Sequence, residues 1–165
     1  MERISIHLDS NVTLSALKAG AGDPLIMIPG WSQSSEEWKG SAASLSAVRE
    51  VIALDMRGHG ESDKPDYGYR VYRLAQDLHE TINKLEFPTV DLMAHSMGCS
   101  VIWAYIDLYG QDRIGRLVLV DQAPCMFPRA EWSPEEMEQF GCFYKSADEV
   151  DELAASAMDC VDLDS

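Results

Sequence analysis

Apolar and polar positions alternate strictly at the start of the chain. Ile4-Ser5-Ile6-His7-Leu8 and Val12-Thr13-Leu14-Ser15-Ala16-Leu17 carry the period of two that belongs to half-buried strands, and Asp9-Ser10-Asn11 between them is turn chemistry. The pair is predicted to form an antiparallel hairpin. The pattern then changes to short unbroken apolar runs, Leu25–Ile28, Val51–Leu54, Val90–Met93 and Leu117–Val120, as expected of parallel strands buried on both faces.

Helical segments are expected between these runs. Val71, Leu74, Leu78, Ile82 and Leu85 recur at spacings of three and four and make one apolar stripe, predicting a helix over 71–86 that Pro88 closes. A second helix is expected from Ser96 to about Tyr109, with Gly110 as its stop. This order of elements calls for a mostly parallel sheet of about six strands, with an N-terminal antiparallel hairpin and flanking helices. The fold class is therefore α/β.

After Val120 the pattern breaks at Pro124, Pro128 and Pro134, and two amphipathic helices are expected over 135–144 and 147–158. No strand-like run follows, which leaves the strand at 117–120 as an unpaired edge unless something covers it. Residues 1–128 read as the core, and residues 129–165 as the start of an acidic helical lid.

Charge changes this picture in one respect. The net charge of −15 disfavours a nucleic-acid partner, because phosphates demand the opposite sign. Residues 131–165 hold eleven acids and one lysine, so two-thirds of the acidity lies in the tail. The tail reads as solvated helical faces, with a segment that selects basic partners as the alternative. Cys99, Cys125, Cys142 and Cys160 form no C-x-x-C pair, so reduced thiols are expected and no metal site is suggested. No apolar run reaches membrane-spanning length and the N-terminus lacks a leader pattern, so the expectation is a soluble, cytoplasmic protein without a cofactor.

The candidate chemistry lies at Ala94-His95-Ser96-Met97-Gly98. A small-x-Ser-x-Gly pattern alone is weak, but this one ends an apolar strand and opens a helix, the context a nucleophile turn requires. The helix N-terminus offers free N–H groups and a positive dipole end to a developing oxyanion. The Met97 N–H is the natural first donor, and Ile28-Pro29-Gly30-Trp31, after the first buried run, suggests the Trp31 N–H as the second. An ordinary turn is the plainer reading of Pro29-Gly30.

Together Ile28-Pro29-Gly30-Trp31, Asp55-Met56-Arg57-Gly58-His59-Gly60-Glu61-Ser62, Ala94-His95-Ser96-Met97-Gly98 and Leu117-Val118-Leu119-Val120-Asp121 resemble the α/β-hydrolase superfamily over about residues 3–128. The likeness is greatest to its esterase, haloperoxidase and epoxide-hydrolase group. The resemblance implies Ser96 as nucleophile and the Met97 and Trp31 N–H groups as oxyanion donors. Epoxide hydrolases and haloalkane dehalogenases carry an aspartate at that position, so a serine implies cleavage of ester, thioester, lactone or C–C bonds instead.

Two departures stand out. Pro29 replaces a histidine that many members carry before this glycine. More importantly, the late histidine that serves members as general base is absent, since the chain has only His7, His59, His79 and His95. A serine hydroxyl needs such a base. His95 is expected to point away from Ser96, His59 to fix its loop, His79 to lie near the boundary of the apolar stripe on the 71–86 helix as a surface or boundary residue, and His7 to be remote. Asp121 is the candidate acid, against a plain strand-end role; Asp55 reads as structural. Met126, Phe127 and Trp132 are candidates for an apolar lid over the substrate, whereas Met93, Trp103 and Tyr105 read as packing.

Three functions stay open. The first is an ester-type serine hydrolase, of which the chain is the N-terminal part and for which a missing C-terminal segment supplies the histidine. The second is a non-catalytic ligand-binding or receptor-like homologue. The third is a hydrolase completed by a second chain across the edge at 117–120.

Overall fold

The computed structural model describes residues 1–122 and 132–135. The chain divides into two compact units, Met1–Gln122 and Ala123–Ser165. Beyond Glu135, the helices expected over 135–144 and 147–158 lie outside the described residues, as do Met126 and Phe127.

The first unit is an α/β layer structure. Strands β1 (Glu2–His7) and β2 (Thr13–Ala19) form the expected hairpin, followed by β3 (Pro24–Ile28), a 3-10 turn (Ser35–Trp38), α1 (Lys39–Leu45), β4 (Glu50–Leu54), α2 (Val71–Lys84), β5 (Val90–His95), α3 (Met97–Tyr109) and β6 (Ile114–Val120). The hairpin turn places Asn11 at φ 58°, a region its short polar side chain tolerates. The 3-10 turn and α1 were not located by pattern: Lys39-Gly40-Ser41-Ala42-Ala43-Ser44-Leu45 is short and carries no apolar stripe.

All six strands form one sheet in the order β1-β2-β4-β3-β5-β6. β2 runs antiparallel to both β1 and β4, and β4, β3, β5 and β6 are parallel to one another. The order sets β4 on one side of β3 and β5 on the other. Loops leaving the carboxyl ends of β3 and β5 therefore emerge side by side at the point where the winding reverses, the usual place for a crevice in an open parallel sheet.

Alternation along the strands divides the core in two. Ile26, Ile28, Ile52, Leu54, Leu92 and Ala94 face α2 and α3, where Leu74, Leu78, Ile82, Val101, Ile102 and Tyr105 meet them. Leu25, Met27, Val51 and Ala53 face the other way and pack on Trp38 and Ala42. Burial of each such Leu, Ile or Val side chain contributes about 1.5–3 kcal/mol. At β6 the cover ends: Leu117, Val118, Leu119 and Val120 are 38–47% exposed.

The loop after β4 is anchored by charge. Arg57 is fully buried and donates through Nε and Nη2 to both carboxylate oxygens of Asp77 on α2, at 2.7 and 2.8 Å. This planar two-point geometry suits a guanidinium and a carboxylate. Asp55, also buried, accepts from the Ser35 and Glu61 N–H groups and from Arg3, at 2.5, 3.1 and 3.0 Å. Its role is the structural one expected of a strand-end aspartate.

Candidate functional site

Ser96 sits between the last residue of β5 and the first of α3, with φ 49° and ψ −124°. A side-chain-bearing residue at positive φ is strained, and such strain persists only where the surroundings over-determine it. Here they do. The Ser96 N–H donates to Val120 O of β6 at 2.9 Å, and Cys99 N–H returns to Ser96 O at 2.8 Å. The Met97 N–H opens α3 and has no intrahelical acceptor.

The loop after β3 presses directly on this turn. A Cβ at Gly98 would stand 2.6 Å from Ile28 O and 2.7 Å from Pro29 O, closer than any real Cβ approaches. One at Gly30 would stand 3.2 Å from Ser96 Cβ. Two glycines thus let the two backbones come together, with Gly30 beside Ser96. The Trp31 indole is 74% exposed. Ser32 adopts φ 59°, and Gln33 N–H closes the turn onto Gly30 O at 3.3 Å.

No histidine hydrogen-bonds to Ser96 among the described residues, and the four have other neighbours. His7 Nδ1 lies 3.1 Å from Thr13 Oγ1, and His59 Nδ1 donates to Arg57 O at 2.9 Å. His79 is half-buried between α2 and α3, stacked on Tyr109 with ring centroids 3.9 Å apart. Burial, and then the nearby Arg113, hold its pKa below the ordinary histidine value. His95 Nδ1 is 2.8 Å from Gln33 Oε1, and its Nε2 lies 3.8 Å from Asp121 Oδ2.

Asp121 follows β6 at φ 53° with its side chain 88% exposed. The structure thus sets this carboxylate beside His95. Trp132 belongs to the second compact unit. Tyr105 is buried in the core and Trp103 packs against it, as expected of packing residues. Met93 packs at the edge of the smaller core. It also lines a cleft of about 260 Å3 with Gln33, Glu37, Trp38, His95 and Val120. Gln33 and Trp38 are neighbours of the site that the sequence pattern does not indicate. Nothing in residue type or spacing marks them, because the contacts join positions about sixty residues apart.

Cys99 is a buried thiol whose pKa is raised by desolvation, so it is no nucleophile at neutral pH. No group of three or more His, Cys, Asp or Glu side chains suited to a metal ion occurs among the described residues. No helix among them is long and apolar enough to cross a membrane.

With this geometry in place, the comparisons with known proteins identify the class. A family model described as the alpha/beta hydrolase fold matches residues 23–164, and the chain belongs to that family. It is 34% identical over 116 residues to a soluble epoxide hydrolase of Corynebacterium sp., a match covering 70% of this chain and 40% of that protein. A non-heme chloroperoxidase of Kitasatospora aureofaciens is 32% identical over 117 residues, covering 70% of this chain and 42% of that protein. Among solved structures, an esterase from Exiguobacterium antarcticum superposes with a TM-score of 0.76 at 26% identity, covering 94% of this chain and 55% of its own. The chain spans about two-fifths of the length of these curated relatives.

Proposed function

We propose that this chain carries the nucleophile and oxyanion site of a serine hydrolase acting on carboxylic ester, thioester or lactone bonds. The observation that carries this reading is the strained Ser96 at the strand-to-helix turn, with the Pro29–Trp31 loop pressed against it. In this reading Ser96 Oγ attacks the carbonyl carbon while a base takes its proton. The Met97 and Trp31 N–H groups hold the negative oxygen of the tetrahedral intermediate. The intermediate collapses, the alcohol or thiol leaves with a proton, and water hydrolyses the acyl-enzyme to release the acid.

That no histidine hydrogen-bonds to Ser96 among the described residues supports a base drawn from polypeptide outside these 165 residues, either a second chain or a C-terminal segment. Asp121, exposed at the end of β6, is positioned to accept from such a histidine. The largely apolar cleft beside His95 favours an apolar acyl or leaving group, with Met126, Phe127 and Trp132 as the proposed lid. A second reading, a ligand-binding homologue without turnover, draws on the same histidine placement.

Soluble imidazole decides between them, because it can replace a missing base. Hydrolysis of p-nitrophenyl acetate that rises with imidazole in the wild-type chain beyond the Ser96→Ala background supports the hydrolase. Identical rates in both chains, with a ligand still raising Tm, select the binding homologue. A triad without its base retains roughly 10³-fold or more over water through oxyanion stabilisation and binding, so the imidazole dependence carries the test rather than a low basal rate.

A further inference from the structure

Gln33 joins the two halves of the site. Its Oε1 lies 2.8 Å from the Gly30 N–H and 2.8 Å from His95 Nδ1. A backbone N–H can only donate, so the atom facing Gly30 is the amide oxygen, and the same oxygen then requires a proton on His95 Nδ1. The side chain thus bridges the residue before Trp31 and the residue before Ser96. A Cβ at Gly30 would point into this junction, 2.7 Å from Gln33 Oε1, 3.1 Å from His95 Nδ1 and 3.2 Å from Ser96 Cβ. Gln33 also closes its own turn through its N–H to Gly30 O.

We propose that Gln33 is a positioning residue that ties the Pro29–Gly30 peptide, through the Gly30 N–H, to His95, so that the Trp31 N–H of the next peptide is held toward Ser96; the proposal rests on the reading of Ser96 as nucleophile. Without the bridge, the 30–33 turn depends on a single 3.3 Å backbone bond and on Ser32 at positive φ. The donor then samples orientations that miss the oxyanion. His95 acts here as the fixed post on β5: its Nδ1–H bonds Gln33, and its Nε2 lies 3.8 Å from Asp121 Oδ2.

The test uses the full chain with Gln33→Met, similar in length but without an acceptor, and Gln33→Glu, which keeps the oxygen. Three readouts are taken: Ser96 labelling by a fluorophosphonate with imidazole present, hydrogen exchange at the Gly30 amide, and the His95 tautomer from imidazole ¹⁵N shifts at pH 8. Loss of an oxyanion donor costs about 10²–10³ in rate, and a loosened donor roughly tenfold. Gln33→Met is expected to label about tenfold slower, to expose the Gly30 amide to exchange, and to lose the pure Nδ1–H form, at a Tm within a few degrees of wild type. Gln33→Glu restores labelling to within a few-fold. His95→Phe cuts the bridge from its other end and is expected to reproduce the Gly30 exchange.

Wild-type labelling or unchanged Gly30 exchange in Gln33→Met overturns the proposal. If the wild type takes no label on Ser96 while Gly30 exchange still follows Gln33, the nucleophile reading fails and the bridge itself stands.

Discussion

Two polar clusters at the carboxyl ends of the strands are built to opposite rules. Around Asp55 and Arg57, buried charge is closed in on itself: Asp77 takes both oxygens of its carboxylate to Arg57, and Asp55 is shared among two backbone N–H groups and Arg3. Around Ser96, the backbone is strained, the Met97 N–H has no intrahelical acceptor, and the Trp31 side chain faces solvent. The first cluster turns most of its charged atoms to holding a loop. The second holds Ser96 at positive φ between β5 and α3, and in the proposed reading its N–H donors serve an oxyanion.

That contrast breaks most sharply under substitution. Ser96→Ala is expected to abolish fluorophosphonate labelling, read by intact mass, while leaving the urea midpoint unchanged or slightly raised. Arg57→Ala should do the reverse. It leaves buried Asp77 with Arg73 Nη2 at 3.0 Å as its remaining cation, so the loss is expected to be below the ~3–5 kcal/mol of a fully broken buried pair, and the urea midpoint is expected to fall accordingly. Labelling measured well below that midpoint should survive if the two clusters are as separate as their bonding implies.

Gly98→Ala sits between these cases. A methyl 2.6 Å from Ile28 O forces the β3 loop away from the turn, and overpacking of this kind costs about 1–3 kcal/mol. Labelling is expected to fall by more than the stability loss explains, because in the proposed reading the displaced loop carries the second oxyanion donor. A labelling rate equal to wild type would show that the contact between loop and turn is packing alone.

A smaller effect separates the site from the helix pair behind it. His79 has its pKa lowered by burial, so the unfolded chain binds a proton more readily than the folded one. Stability is insensitive to this group above its unfolded pKa of about 6.5, and falls as pH drops below that value until the folded form also protonates. The urea midpoint should decline between pH 7.5 and 5, and His79→Phe should flatten that decline while keeping the stack on Tyr109. The smallest expected effect is at Ser96→Gly, where relief of positive φ raises stability by up to about 1 kcal/mol as labelling disappears.

Much of the architecture was legible because it rests on local pattern. The hairpin followed from alternation in β1 and β2, the parallel strands from unbroken apolar runs, and α2 from its stripe. The turn at Ser96 was legible for the same reason: a strand, a serine between small residues and a helix are contiguous in the chain. The 3-10 turn and α1 were not, since Ser35–Leu45 is ordered by Trp38 and Ala42 packing on β3 and β4 rather than by a period of its own.

By itself, then, the sequence determined the elements, the α/β class, the serine at a strand-to-helix turn and the supply of only four histidines. Tertiary structure decided where those histidines go, that Asp121 faces His95, and that Gln33 links the two loops beside Ser96. The physical reason is the range of the forces involved. Propensity and amphipathic period act within a few residues, whereas a hydrogen bond from His95 to Gln33 exists only after the sheet has set β3 beside β5.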